Sequence, residues 1–177
     1  MKNSIYSILF LLVTFPSFSQ GLKYDEWDVV ETVDDFGDKT GEKVARYFSE
    51  GKFSNSATSG EDMIVKIVDY GIGEDGSGQA AIDFFEYKKT QAVLAYSTEK
   101  GVMKVKLPDG SVESFSCYAL KSGGIVFWNK EYEALMSLIN NGKSEKMRFV
   151  VSSSDFSEYG GSKYQGYFHT KAANQVD

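Results

Sequence analysis

The sequence is poor in the residues on which most enzyme active sites and metal centres are built. It has one cysteine, Cys117, and one histidine, His169, in 177 residues. A single cysteine excludes a disulfide within the chain, and these two residues cannot hold a zinc ion without carboxylates. We expect Cys117 to be a small buried residue of a strand and His169 to lie at the surface or rim of the fold. A nucleophilic Cys117–His169 pair is the alternative.

Basic residues are also in the minority. There are 19 Lys and Arg against 25 Asp and Glu, for a formal net charge of −6, and acids and bases are interspersed along the chain. A net negative protein is repelled by phosphate backbones, and no basic amphipathic helix is present to bind anionic lipid. We therefore expect no nucleic acid partner and no electrostatic docking on a membrane surface.

Arginine is scarcer still, since only Arg46 and Arg148 occur among many lysines. A planar guanidinium group can bind a carboxylate through two parallel hydrogen bonds, which a lysine cannot do. We predict that Arg46 and Arg148 act as structural clamps on a carboxylate, with the acidic loop at 34–38 as a candidate partner.

The N-terminus has the pattern of a secretory leader. Lys2 precedes an apolar run over residues 5–15, Pro16 ends it, and Ser17 and Ser19 stand where a signal peptidase reads small residues. The apolar run is too short to span a membrane. We predict a signal peptide over residues 1–19 and a single domain over residues 20–177. The protein is then exported, periplasmic or extracellular, with no membrane insertion after leader removal.

The remainder of the chain alternates between apolar and polar residues with a period of two, which is typical of half-buried strands. Met103, Val105 and Leu107 alternate with lysines, and a Pro-Asp-Gly turn at 108–110 leads into the returning strand. We predict an all-β, mainly antiparallel fold, a β-sandwich or flattened barrel of about nine strands. These cover residues 24–33, 44–48, 63–70, 80–87, 103–107, 112–120, 124–128, 147–152 and 163–170.

One segment has helical periodicity instead. Between residues 129 and 141, the apolar residues Tyr132, Leu135, Met136 and Ile139 stand at i, i+3, i+4 and i+7. Asn129 is placed to cap the N-terminus. We predict one α-helix here, near the C-terminus, which covers an open end or edge of the β-structure.

An acidic loop is the candidate metal site. Asp34, Asp35 and Asp38 lie close to Gly37, and calcium is plentiful outside cells. An EF-hand needs an oxygen ligand where Phe36 stands, so that motif is excluded. Either the three aspartates bind calcium in another geometry, or they form a turn that Phe36 fixes to the core.

The segment from 51 to 60 is dense in hydroxyl and amide groups around a single aromatic residue, Phe53. Such side chains can bond the backbone of their own loop, or they can bind a glycan or a peptide. The candidate ligand-binding residues are Ser54, Asn55, Ser56 and Thr58.

Two stretches carry a resemblance to known proteins. The sequences DDFGDKTGE at 34–42 and GKFSNSAT at 51–58 resemble an uncharacterised family of secreted bacterial proteins. More loosely, Trp27 with its acidic loop, the strand meander and the late helix are similar to envelope accessory β-sandwich proteins of the invasion-associated and type VI secretion kind. The chain lacks their cysteine pair. The resemblance implies a β-sandwich fold and a non-enzymatic role.

These observations predict an exported, non-catalytic binding or interaction protein of the bacterial cell envelope or extracellular space. An envelope protein or a glycan is the expected partner, met by exposed aromatic residues such as Tyr159, Tyr164 and Tyr167. One alternative is a small secreted hydrolase that cleaves glycan through a carboxylate pair. Its candidate carboxylates are Asp83, Glu86 and Glu113. The other is a structural accessory subunit that uses residues 24–33 to pair with a strand of its partner.

Overall fold

The strands and one α-helix follow the predicted order closely. The computed structural model describes residues 23–95, 97–156 and 161–175, so the predicted leader over 1–19 lies outside the described residues. The strands are β1 Trp27–Val33, β2 Lys39–Ser54, β3 Glu61–Ile72, β4 Gly78–Glu86, β5 Thr90–Gln91, β6 Glu99–Lys106, β7 Val112–Ala119, β8 Ile125–Trp128, β9 Lys146–Ser152 and β10 Lys163–His169. The helix α1 covers Lys130–Ile139, and two short 3₁₀ turns cover Ser153–Asp155 and Ala173–Gln175.

All strand pairs are antiparallel, and most of the strands close into a ring. The order along the sheet is β1-β2-β10-β9-β6-β7-β8-β4-β3, and β3 also pairs with β2. The ring closes because β2 is 16 residues long. One of its edges pairs with β3, while its other edge pairs with β1 towards its start and with β10 at its end. The predicted all-β fold with a single helix is confirmed, in the form of a flattened barrel.

The interior of the ring is a packed core. Alternation along each strand directs one set of side chains inwards. The six largest fully buried side chains are all aromatic: Tyr47, Tyr164, Phe53, Phe84, Phe127 and Phe168. Glycines on the inner face make room for these rings. A Cβ at Gly166 would lie 2.5 Å from Cζ of Phe149. Because large side chains fill the inside, a ligand would meet this protein on its outer surface.

The helix buries the face that the sequence predicts, with Tyr132, Leu135, Met136 and Ile139 all buried. It lies beside β4, β7 and β8. The predicted cap is wrong, because the side chain of Asn129 makes no capping bond. Asn129 has a positive φ of 50°, and its backbone N–H donates to the carbonyl of Gly78 instead. The turn from β8 into the helix therefore sets the conformation of Asn129.

The segment at 51–60 is shorter as a loop than its composition indicates. β2 continues to Ser54 and β3 begins at Glu61, so only residues 55–60 connect them. Gly51 lies within β2, paired with Met63 of β3, and a Cβ at this position would lie 2.6 Å from Cε of Met63. The glycine therefore serves close packing inside the ring.

Candidate functional site

The polar side chains of the 55–60 connection bond to their own loop. The Oδ1 atom of Asn55 accepts bonds from the backbone N–H groups of Ala57 and Thr58, each at 2.9 Å, and from the Thr58 hydroxyl at 3.1 Å. The hydroxyl oxygen of Ser54 accepts from the N–H of Gly60 at 3.0 Å. This arrangement fits the ordered-loop alternative, and ligand binding by these residues and Ser56 stays a prediction.

The acidic loop is the tight turn between β1 and β2. Asp34 Oδ1 accepts from the N–H groups of Phe36 and Asp38, both at 2.9 Å, which is the hydrogen bonding of a turn-forming aspartate. Phe36 is 92% exposed, so the expectation that it fixes the loop to the core is wrong. Within the described residues no group of three or more His, Cys, Asp or Glu is placed to hold a metal ion. Calcium binding by Asp34, Asp35 and Asp38 stays a prediction.

The two arginines have different surroundings. The Nη2 atom of Arg46 donates to Oδ2 of Asp28 at 3.0 Å, so its carboxylate partner lies on β1 rather than in the 34–38 loop. The guanidinium group also lies 5.7 Å from the ring centroid of Phe48. Arg148 stands on β9 opposite Tyr167 of β10, and it takes part in no ion pair of the described residues.

The three carboxylates of the hydrolase alternative do not converge. Asp83 and Glu86 are three residues apart on β4, and side chains at odd spacing in a strand point to opposite faces. Asp83 accepts from Gln91 at 3.0 Å, and burial raises its pKa against the opposing effect of Lys66. Glu86 accepts from the Tyr164 hydroxyl at 2.7 Å. Glu113 is exposed on β7, which is not a neighbour of β4.

The predicted aromatic binding face is only partly present. Tyr164 is 2% exposed and points into the ring, so its assignment to a binding surface is wrong. Alternation along β10 directs the Tyr164 side chain inwards, where its phenol ring stacks on the ring of Phe84 with centroids 5.1 Å apart. Tyr159 lies outside the described residues. Tyr167 is partly exposed on the outer face of β10.

Cys117 and His169 face opposite sides of the sheet. Cys117 is fully buried on β7, which confirms the expectation of a buried hydrophobic residue. Burial raises the pKa of its thiol to about 12. His169 shares the outer face of β10 with Lys163, Gln165 and Tyr167. The two residues therefore do not form a nucleophile pair.

We expect the Cys117 thiol to be inert in the native protein at pH 8. Only thiolate reacts with a disulfide reagent, and a pKa of about 12 leaves almost none at that pH. Labelling with dithiobisnitrobenzoate should be complete in urea and negligible without it, and native reactivity should rise only as the pH approaches 12. Equal labelling rates with and without urea would contradict the buried position.

A network of hydrogen bonds surrounds His169. The indole N–H of Trp27 donates to the carbonyl of His169 at 2.7 Å, and the N–H of His169 donates to the Tyr47 hydroxyl at 3.1 Å. The same hydroxyl lies 2.9 Å from Nδ1 of His169 and 3.2 Å from Oδ1 of Asp25. The Tyr167 hydroxyl donates to Oδ2 of Asp25 at 3.2 Å. We call these residues the His169 cluster: Asp25, Trp27, Tyr47, Tyr167 and His169.

The protons of the cluster can be assigned from its donors and acceptors. The Tyr47 hydroxyl has one proton, and the Asp25 carboxylate can only accept. Tyr47 therefore donates to Asp25 and accepts from the imidazole, which places the proton of a neutral His169 on Nδ1. Nε2 is then the basic atom of the ring. Burial, with the charge of Asp25, raises the pKa of Tyr47 far above its ordinary value, so its hydroxyl stays protonated.

We expect Tyr47→Phe to lower the free energy of unfolding by about 1–3 kcal/mol, because it leaves the donors of His169 and a carboxylate oxygen without their partner. Tyr87→Phe is the matched control, since Tyr87 is 52% exposed and should change stability little. Urea denaturation of both variants measures the difference. A Tyr47→Phe variant as stable as Tyr87→Phe would show that the cluster does not stabilise the fold.

No linear motif marks this cluster in the sequence. Its members come from the N-terminal segment, β1, β2 and β10, and only Tyr167 and His169 share a strand.

The part of the chain that the structure describes holds no helix of the length and apolar character needed to cross a membrane. Comparison with protein-family models, curated proteins and solved structures finds no match.

Proposed function

We propose that this protein is an exported, non-catalytic binding or interaction protein of the bacterial cell envelope or extracellular space. The observation that carries the proposal is the aromatic core that fills the ring, since it leaves the outer surface as the place where a ligand binds. The leader pattern over residues 1–19 supports export.

Binding is favoured over glycan hydrolysis by the positions of the carboxylates. A glycosidase needs two carboxyl groups on either side of one bond. Asp83 and Glu86 lie on opposite faces of β4, and Glu86 is engaged by Tyr164. The thiol of Cys117 is buried as well, so it supports no nucleophilic role.

The second candidate function is that of an accessory subunit of an envelope assembly, and β1 favours it. β1 is the last strand of the sheet order, and its edge away from β2 has no strand partner within the described residues. Val29 on this strand is 65% exposed. A strand with a free edge can pair with an extended segment of another protein.

The test is to express the full chain with a C-terminal tag in the producing bacterium and to separate its cell fractions. We expect the protein outside the cytoplasm with Gln20 as its first residue. An intact N-terminus in the cytoplasmic fraction would contradict export. Chemical crosslinking then tests the second function, because an accessory subunit that uses β1 should retain one stoichiometric protein partner, and Val29→Lys at the free edge should release it.

A further inference from the structure

Positive charge is concentrated on the outer face of three neighbouring strands, β6, β9 and β10. Alternation gives these strands twelve outward positions, occupied by Lys100, Val102, Lys104, Lys106, Lys146, Arg148, Val150, Ser152, Lys163, Gln165, Tyr167 and His169. Six of the twelve are Lys or Arg and none is Asp or Glu, although acids outnumber bases 25 to 19 in the whole chain. We call this surface the cationic face.

The register of the strands brings these charges close together. Lys106 of β6 stands opposite Arg148 of β9, which stands opposite Tyr167 of β10. Neighbouring strands lie about 4.8 Å apart, and alternate residues of one strand lie about 6.7 Å apart. These spacings are within the screening length of about 8 Å at physiological ionic strength. The cations therefore repel one another and together attract an anion.

Most of this charge has no ion-pair partner within the described residues. Lys100, at the edge of the face, lies 3.8 Å from Glu131. The other five cations take part in no ion pair of the described residues: Lys104, Lys106, Lys146, Arg148 and Lys163. Elsewhere on the surface, Lys39, Lys52 and Lys88 each have a carboxylate partner. The cationic face is therefore a group of neighbouring positive charges for which the described residues supply one ion-pair partner, Glu131.

We propose that the cationic face binds an anionic polysaccharide, with the acidic groups of the polymer against Lys104, Lys106 and Arg148. This inference rests on the proposed binding function. The complementarity of charge carries it, and Gln165 and Ser152 add neutral hydrogen-bonding groups for sugar hydroxyls.

A polysaccharide fits this face better than a nucleic acid does. Proteins that bind single strands stack bases on open aromatic rings. The rings on the cationic face are those of Tyr167 and His169. Nζ of Lys146 lies only 3.5 Å from the Tyr167 centroid, and Nδ1 of His169 is hydrogen-bonded to the Tyr47 hydroxyl.

The test compares two triple variants of the full protein that lose the same charge. One is Lys104→Gln, Lys106→Gln and Arg148→Gln on the cationic face. The control is Lys39→Gln, Lys88→Gln and Lys89→Gln, at exposed positions away from β6, β9 and β10. Polygalacturonate is the probe, fully methyl-esterified polygalacturonate is its uncharged counterpart, and a thymidine oligonucleotide represents nucleic acid. Calorimetry measures the affinities, and circular dichroism checks that all variants are folded.

We expect polygalacturonate to bind the wild type, and added salt to weaken the binding. The face variant should bind about tenfold more weakly or worse, as the loss of three polyanion contacts implies, and the control should stay near the wild type. Equal binding of the esterified polymer, an equal loss in the control, tighter binding of the oligonucleotide, or no binding of polygalacturonate would overturn the inference. Failure of the proposed function is recognised separately, by a cytoplasmic protein with an intact N-terminus.

Discussion

Replacing Asp69 by alanine is expected to lower the free energy of unfolding by about 3–5 kcal/mol, because it leaves a buried lysine without its counter-charge. Nζ of Lys171 lies 3.1 Å from Oδ2 of Asp69, and the two side chains are only 9% and 11% exposed. Oδ1 of Asp69 also accepts from the Tyr132 hydroxyl at 3.1 Å. One carboxylate thus joins β3, the helix and the segment after β10, so its loss should weaken all three contacts.

An exposed ion pair provides the control for this prediction. Asp62 pairs with Lys52, and their side chains are 59% and 58% exposed. Asp62→Ala should cost about 1 kcal/mol or less, as is usual for surface pairs. The double variant Asp69→Leu with Lys171→Met should be more stable than Asp69→Ala, since it removes both charges together. Urea denaturation measures all three. If Asp69→Ala cost no more than Asp62→Ala, the buried pair would not be important to the fold.

The second large effect is expected from Phe84→Ala, which should lower the free energy of unfolding by about 3–5 kcal/mol. Phe84 is fully buried inside the ring. Its ring centroid lies 5.1 Å from that of Tyr164 and 6.2 Å from that of Phe149. Removing its side chain leaves a cavity among side chains from β4, β9 and β10. Because the ring of strands is closed, the surrounding structure cannot easily collapse to fill that cavity. Thermal and urea denaturation both report the loss.

Phe36→Ala makes the same chemical change at the tip of the turn between β1 and β2. Phe36 is 92% exposed, so we expect a change within about 0.5 kcal/mol. Because both variants replace phenylalanine by alanine, the difference between their free energies of unfolding measures the effect of burial inside the ring of strands. Similar stabilities for the two variants would contradict an interior packed with aromatic side chains.

Local patterns in the sequence were sufficient for the class of fold. The alternation of Met103 and Val105 with lysines predicts a strand with one buried face, and both residues are fully buried. The helical spacing of Tyr132, Leu135, Met136 and Ile139 predicts the buried face of the helix correctly. Both patterns concern residues a few positions apart, where backbone geometry alone decides which side chains share a face.

Predictions about turns and exposure were less accurate, because neighbours distant in sequence decide them. Gly51 reads as part of a loop, yet it lies in β2 where the side chain of Met63 leaves no room for a Cβ. The sequence predicts Tyr164 to be a surface aromatic residue, yet alternation along β10 directs its side chain inwards onto Phe84. In both cases the deciding contact comes from another strand.

Local patterns along the chain are enough to predict the all-β class, the helix near the C-terminus with its buried face, and the buried state of Cys117. The closure of the ring of strands, the His169 cluster and the cationic face arise only when distant parts of the chain pack together. Lys106 and Arg148 are 42 positions apart in the chain and become neighbours only through the register of β6 and β9. Interspersed charges average out along a sequence, but strand alternation sorts them by face and strand pairing then places them side by side.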